Sequence, residues 1–542
     1  MKLLLLQPPI QDFYDTDIRL QPIGLAYLKA TVKKFLPHVD VIIRDYHHGR
    51  GRKTVSLPDE LQYLREYYRF ADRSPFSTFY HFYHFGASYQ LIAEEVLKEK
   101  PDLVGISSLF TPYWREVLET ARAIKKKWSC PILAGGSHVS ADPLHLLQYP
   151  EIDFVIRGEG ERPLVEFLKI WQENGDLDTV PNLGFKKNGL PVLNEVQDNY
   201  DLDTLPLPDL TDFDPNRYSC QKKPLTFIIT SRGCPHHCAF CSVHLTFGQT
   251  YRRRNVEKIM DEIRYRYQQG YRVFDFEDDN LTFYLPEMKE ICRRLVQLFP
   301  PGEIACTAMN GISYLSLDSE LLNLMRQAGF RELNISLVSA DIDILTGHHR
   351  SAALKKYSEV VHIAHELEFR IVSYQILGLP DDTLQSMVQT MIFNSRLPVL
   401  LGVSPFYLTP RMPIAARFPP LTPEDMIRSR LTALGYQGSG HNRDDLYTLF
   451  ITARIINFLK GLEFDKLRVS LNEIVCQSKN KSTRAMSALK VLGSLVNEKI
   501  LYAETAAGLK PIHKFKIHLF FDLWQKLEYI TTRSNCRIQL EN

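Results

Sequence analysis

Three cysteines crowd into one stretch, SRGCPHHCAFCS, where Cys234, Cys238 and Cys241 form CxxxCxxC directly after the apolar run PLTFIIT. Thiolates are soft ligands that suit iron and sulfide, and one short loop can wrap three of them around a face of an iron–sulfur cluster. Three protein ligands leave a fourth iron open, and an open iron chelates a molecule through an amine and a carboxylate. A closed zinc site is the competing reading, with His236, His237 or His244 as fourth ligand. Zinc sites of that kind usually pair two CxxC knuckles, and no second knuckle exists here. The rest of the nine cysteines, Cys130, Cys220, Cys292, Cys306, Cys476 and Cys536, are scattered, which suits a reducing compartment better than a disulfide framework.

Two runs of alternating strand and helix must position this loop. The first, 1–195, predicts strands at Lys2 to Leu6, Val39 to Arg44, Leu103 to Ser107, Pro131 to Ala134 and Phe154 to Ile156. Between them Leu25, Leu28, Val32 and Phe35 share one helical face, as do Trp114, Val117, Leu118, Ala121 and Ile124. The pattern is that of a doubly wound parallel sheet of flavodoxin or Rossmann type, whose ligands sit at the carboxyl ends of the strands. An aromatic insertion at about 51–90 interrupts it, either as packing between domains or as a lid over a ligand. Residues 196–222 mix Asp, Pro and Leu without periodicity and read as a linker.

The second run, 223–412, predicts strands at Leu225 to Thr230, Val273 to Phe276, Ile304 to Ala308, Glu332 to Leu337, Arg370 to Leu377 and Gly402 to Tyr407. Six strands alternating with helices suit a partial (β/α)6 barrel of TIM type. Beyond a cluster of prolines, 413–542 reads as a mainly helical region. The fold class is therefore α/β.

The 542 residues are 44% hydrophobic and 24% charged, as in a globular protein of two or three domains. With 65 basic and 63 acidic side chains the net charge is +2, so nothing steers the whole molecule toward nucleic acid or an anionic membrane. The opening MKLLLLQPP lacks a cleavage site and reads as a buried strand, and no stretch approaches the roughly 20 apolar residues of a membrane span. A cytoplasmic location is expected.

The cysteine motif, with Phe240 before its last thiol, resembles that of the radical S-adenosylmethionine superfamily, and the likeness covers roughly 223–412. The resemblance implies a 4Fe–4S cluster on Cys234, Cys238 and Cys241. S-adenosylmethionine would bind the open iron, with the backbone of Phe240 near adenine, and would be cleaved to a 5'-deoxyadenosyl radical. FDFEDDN stands where relatives contact the methionine amino group, which implicates Glu277, Asp278 and Asp279. YQILGLPD overlays an adenine element with Ile376 and Gly378 retained, although Tyr374 and Asp381 depart from its GxIxGxxE pattern. Asn334, Ser336 and Ser339 in LNISLVSAD are candidates for the ribose hydroxyls, and Tyr407 in PFYLTP for a further contact.

The first 170 residues or so resemble the cobalamin-binding domain that precedes many such barrels. Ser107, Ser108 and Leu109 supply its SxL, and Gly135 with Gly136 its GG. A nucleotide tail passing between strands needs side chains no larger than serine and the close backbone approach of glycine. Gly158 and Glu159 of GEGE are grouped with these contacts, a turn opening the next helix being the plainer reading. The loop after the first strand, QPPIQDFYDTD, has no histidine, and Asp45, His47 and Gly49 imitate DxHxxG after the second strand instead. Cobalamin is therefore expected to have no histidine below cobalt.

Together these resemblances imply a cobalamin-dependent methyltransferase acting on an unactivated carbon or phosphorus of a small-molecule, lipid or natural-product substrate. A flavodoxin- or ferredoxin-type donor would supply electrons. A cyclase, rearrangement or oxidative enzyme is the alternative within the superfamily, and a non-catalytic cobalamin or redox sensor the alternative outside it.

Overall fold

Leu3, Leu4, Leu5 and Leu6 are all buried, including side chains that point to opposite faces of the strand. A strand buried on both faces belongs inside a sheet covered by helices on each side. In the computed structural model, which describes residues 1–16, 21–197, 200–476 and 482–541, Lys2–Gln7 is such a strand. Asp17 of the following loop and Asp198 and Asn199 of the linker lie outside the described residues.

The first sheet places Asp40–Asp45, Lys2–Gln7, Leu103–Ser107, Ile132–Gly135 and Phe154–Ile156 side by side, all parallel. In sequence order that is 2-1-3-4-5, the flavodoxin arrangement. Helices Ile23–Phe35 and Glu161–Gln172 pack together, as do Tyr89–Glu99 and Trp114–Lys127. An antiparallel hairpin, Leu183–Lys187 and Leu190–Leu193, extends the sheet beyond the five predicted strands. Its turn, Asn188-Gly189 with both φ positive, is the favoured two-residue hairpin connection and was its only sequence signal.

Six parallel strands build the second half. Lys223–Ile228, Val273–Phe276 and Ala305–Thr307 form one group, and Glu332–Val338, Arg370–Leu377 and Leu400–Pro405 the other. Isolated parallel bridges from Cys306 to Phe330 and from Ile312 to Ile335 join the groups. The last strand ends at Pro405, so Phe406 and Tyr407 fall past it, because its partner strand ends at Leu377 where Gly378 turns away with φ +77°.

The helices of the last region, Pro423–Ile427, Arg443–Leu459, Leu471–Cys476, Thr483–Glu498 and Ile517–Leu527, are accompanied by short strands. Aromatics of the insertion pack against them. Phe76 and Phe79 meet the rings of Phe458 and Phe450, and the Tyr67 and Tyr68 hydroxyls donate to Asp444 and to the Thr432 carbonyl. The insertion is thus a seam between the first sheet and the C-terminal helices. Among the described residues no helix is long and apolar enough to cross a membrane.

A buried ion pair locks the same seam. Asp12 accepts from Arg430 at 3.1 Å, the Tyr113 hydroxyl at 2.8 Å and the Thr432 hydroxyl at 2.8 Å, while Arg430 also donates to the carbonyls of Gln11, Pro112 and Ile427. Removing one member strands a buried charge, at a cost of roughly 3–5 kcal/mol. Arg430→Ala is therefore expected to lower the melting temperature by several degrees at neutral pH. A thermal scan within one degree of wild type would show that the pair holds nothing.

Candidate functional site

The cysteine loop leaves the first barrel strand through Thr230, Ser231, Arg232 and Gly233. Asp278 anchors its start, accepting from the Thr230 amide at 3.1 Å, the Thr230 hydroxyl at 2.7 Å, the Ser231 hydroxyl at 2.5 Å and the Ser231 amide. Asp279 accepts from the Gly233 amide at 2.9 Å. Gly233 has φ +81°, and a Cβ there would collide with the Thr250 carbonyl, so only glycine lets the chain turn into Cys234.

All three thiols are free, with Cys238 buried and Cys234 and Cys241 half-buried. The Cys241 amide donates to the Cys238 carbonyl at 3.1 Å, curling the loop. Asn280 Nδ2 lies 3.6 Å from the Cys234 sulfur and Arg350 Nη1 3.8 Å from that of Cys238. Burial pushes the Cys241 thiol up to about 11, and the neighbouring sulfurs push the same way. Donors aimed at sulfur favour thiolate, the form that binds metal. A polynuclear cluster takes each thiolate on a different iron, so this donor set fits it.

Of the three consecutive carboxylates in FDFEDDN, Asp278 and Asp279 hold the loop and Glu277 does not. Glu277 accepts from Asn310 Nδ2 at 2.5 Å. Burial first, and then the Asp275 carboxyl beside it, raise its proton affinity to a pKa of about 8. A carboxyl that keeps its proton when folded but releases it near 4.5 when unfolded stabilises the fold fully below pH 4.5. That contribution is lost as pH rises through about 8. Glu277→Gln is expected to flatten the corresponding fall in melting temperature of the cofactor-free protein. A pH series with unchanged slope would remove Glu277 as its source.

Phe240 and Ile376 come together in one apolar cluster with Val338, Leu345, Leu379 and Phe406. At Gly378 a Cβ would sit 2.7 Å from His441 Nε2, which places His441 beside the predicted adenine element. Asn334 donates to the Ala308 carbonyl at 3.3 Å and accepts from the Tyr374 hydroxyl at 3.4 Å. Ser336 is half-buried on the same strand, and its carbonyl accepts from Arg350 at 2.7 Å. Ser339 does not join them. It has the opposite strand parity and follows Val338, the last strand residue, where φ is +72°, and its hydroxyl meets Thr390 on the outer helix Leu384–Ser395 at 3.3 Å. Tyr407 is 38% exposed beyond the last strand.

In the first sheet, Ser107 pairs with Gly135 across neighbouring parallel strands, so Ser108, Leu109 and Gly136 follow at their carboxyl ends. Gly136 has φ +117°, and a Cβ there would lie 2.7 Å from the Ser108 carbonyl oxygen. The Ser108 hydroxyl is buried and has no hydrogen-bond partner. An orphaned hydroxyl beside a backbone cradle that only glycine permits fits a tail inserted between the strands. Gly158, with φ +68°, donates its amide to the Ser140 hydroxyl at 2.8 Å, and its missing Cβ faces the Thr246 carbonyl just past Cys241. Glu159 is buried and turned to Arg232 and Arg252 of the barrel. His48 stacks on Tyr218 at 4.9 Å and its Nε2 meets the Arg217 carbonyl at 2.8 Å, which makes it packing under the linker.

Asn280 and Arg232 were within reach of the sequence, since each belongs to a motif already singled out. Arg350, Asn310 and His441 carried no such signal.

Residues 228–393 match the Radical SAM superfamily, and residues 80–168 match the B12 binding domain. The chain is thus a radical SAM enzyme with a B12-binding domain in front, and its cofactors are a 4Fe–4S cluster, S-adenosylmethionine and cobalamin. It is 26% identical over 412 residues to a protein of Pyrococcus horikoshii named as an uncharacterized methyltransferase, covering 74% of this chain and 79% of that one. It is 25% identical over 419 residues to the cytidylyl-2-hydroxyethylphosphonate methyltransferase of Streptomyces wedmorensis, 70% of this chain and 73% of that one. The fold is similar to that of the radical S-adenosylmethionine methyltransferase TsrM of Kitasatospora setae, with a TM-score of 0.58 at 18% identity over 77% of this chain and 75% of that one.

Proposed function

We propose that this enzyme transfers a methyl group to an unactivated carbon of a small-molecule, lipid or natural-product substrate held between the first sheet and the barrel mouth. The observation that carries this reading is the apposition of Gly158, at the end of a sheet strand, with Thr246, just past Cys241. When bound, the cluster would supply the electron that cleaves a sulfonium and cobalamin would supply the methyl group.

The residues divide the work accordingly. Cys234, Cys238 and Cys241 hold the cluster, and Asp278 and Asp279 hold their loop. Glu277, the carboxyl free of that loop, receives the methionine ammonium, with Asn310 orienting it. Phe240, Ile376 and Gly378 shape an apolar seat for adenine, and Asn334 and Ser336 face the ribose. Ser107, Ser108, Leu109, Gly135, Gly136 and Gly158 accept the cobalamin tail. A flavodoxin- or ferredoxin-type donor in the cytoplasm completes the scheme, as do domain boundaries at 195/196, 222/223 and 412/413.

Anaerobic incubation of the reconstituted enzyme with reductant, cobalamin and S-adenosylmethionine deuterated at its methyl group tests the reading on a cell extract. Label appearing in a new product by mass spectrometry is expected. Release of 5'-deoxyadenosine with no label transferred would turn the assignment to a cyclase or rearrangement enzyme.

A further inference from the structure

The sequence GEGE is buried in a way its composition does not announce. Glu159 and Glu161 are 5% and 6% exposed, and both face a guanidinium from the other half of the molecule. Arg232 Nη1 meets Glu159 Oε1 at 2.5 Å and its Nη2 meets Glu161 Oε1 at 2.6 Å. Arg252 Nη1 meets the second oxygen of Glu159 at 2.7 Å. The rings of Tyr27 and Phe247 lie 5.1 and 5.7 Å from the Arg232 guanidinium and keep water from the pair.

The two arginines are not placed at random. Arg232 and Arg252 are register partners in a short antiparallel ladder, Ser231–Arg232 with Arg252–Arg253, and the whole cysteine loop is the connection between those strands. One carboxylate, Glu159, therefore grips both sides of the loop's neck, and Cys234 is separated from Arg232 by Gly233 alone. Fixing the neck removes conformational freedom from everything it encloses. Glu159 also directly follows Gly158, at the strand end where a cobalamin contact is expected.

We infer that Glu159 and Glu161 are positioning residues that clasp the cluster-bearing loop to the cobalamin domain through Arg232 and Arg252, and that Glu159 acts on the loop and not on cobalamin. The inference rests on the cluster and cobalamin assignment above, although its first test does not need either cofactor. In the cofactor-free protein, Glu159→Gln is expected to raise amide hydrogen exchange across 233–251 by at least about tenfold, with the central strands of the first sheet unchanged. After anaerobic reconstitution the reduced cluster should show an altered paramagnetic resonance signal and a shifted midpoint potential, while cobalamin affinity stays within about twofold of wild type. Arg232→Lys, which keeps the charge but cannot bridge two carboxylates, should fall between the two.

If Glu159→Gln does not fold, Glu161→Gln carries the comparison on the Arg232 side of the neck, since it removes one of the two carboxylates that hold that guanidinium. Wild-type exchange and a wild-type cluster signal in these variants would overturn the clasp. So would a loss of cobalamin affinity of at least about tenfold with the cluster signal intact, which would make Glu159 a cobalamin contact. A wild-type protein that takes up neither iron nor cobalamin would instead sink the cofactor assignment, and the exchange measurement would still decide the clasp.

Discussion

Cys234→Ala, Cys238→Ala and Cys241→Ala are each expected to abolish reductive cleavage of S-adenosylmethionine, a loss of at least about a thousandfold. Each removes one corner of the donor set, and nothing nearby replaces it. Asp278 and Asp279 are committed to the loop backbone and to the hydroxyls of Thr230 and Ser231. His236 and His237 are exposed within the loop. The effect should be accompanied by loss of iron and acid-labile sulfide, measured after anaerobic reconstitution, with the circular dichroism of the fold preserved. Preservation is expected because Asp278, Asp279 and Gly233 shape the loop independently of the thiols. A triple alanine variant that still releases 5'-deoxyadenosine would refute the cluster assignment.

Gly136→Val is expected to cost both stability and cobalamin. At φ +117° a side chain is strained by about 1–3 kcal/mol, and the added Cβ would press on the Ser108 carbonyl at 2.7 Å. That carbonyl already accepts from the His138 amide at 3.1 Å, and the Ser108 amide donates to Gly135 at 2.7 Å, so neither side yields without breaking a backbone bond. A loop that relaxes by moving away must be pulled back to bind, which converts the same energy into roughly a ten- to hundredfold weaker cobalamin complex. Absorbance titration with hydroxocobalamin measures it, and Gly189→Ala, with open space where its Cβ would stand and far from the proposed contacts, controls for glycine strain alone. Equal affinities in wild type and Gly136→Val would place the tail elsewhere.

Much of the architecture was readable because it is periodic or local. The five parallel strands and six barrel strands were marked by short apolar runs, and their ends moved by only a few residues. The cysteine loop was readable because its ligands stand within one turn-rich stretch, and the glycines because a positive φ excludes other residues. The carboxylates were harder. FDFEDDN presents three acids in a row, and adjacent residues on a strand end point in different directions, so composition alone could not tell Glu277 from the pair that anchors Thr230, Ser231 and Gly233. Ser339 stands apart from Asn334 and Ser336 because strand alternation already gives it the opposite parity and it lies past the strand's last residue, Val338.

The residues alone determined the cluster motif, the order of the elements and the points where only glycine fits, because each follows from neighbours along the chain. Tertiary structure decided which charges meet: Glu159 with Arg232, 73 positions apart, and Asp12 with Arg430, 418 apart. An ion pair depends on a separation of a few ångströms in space and on the exclusion of water around it. Spacing along a chain carries neither quantity once the intervening residues fold into separate layers.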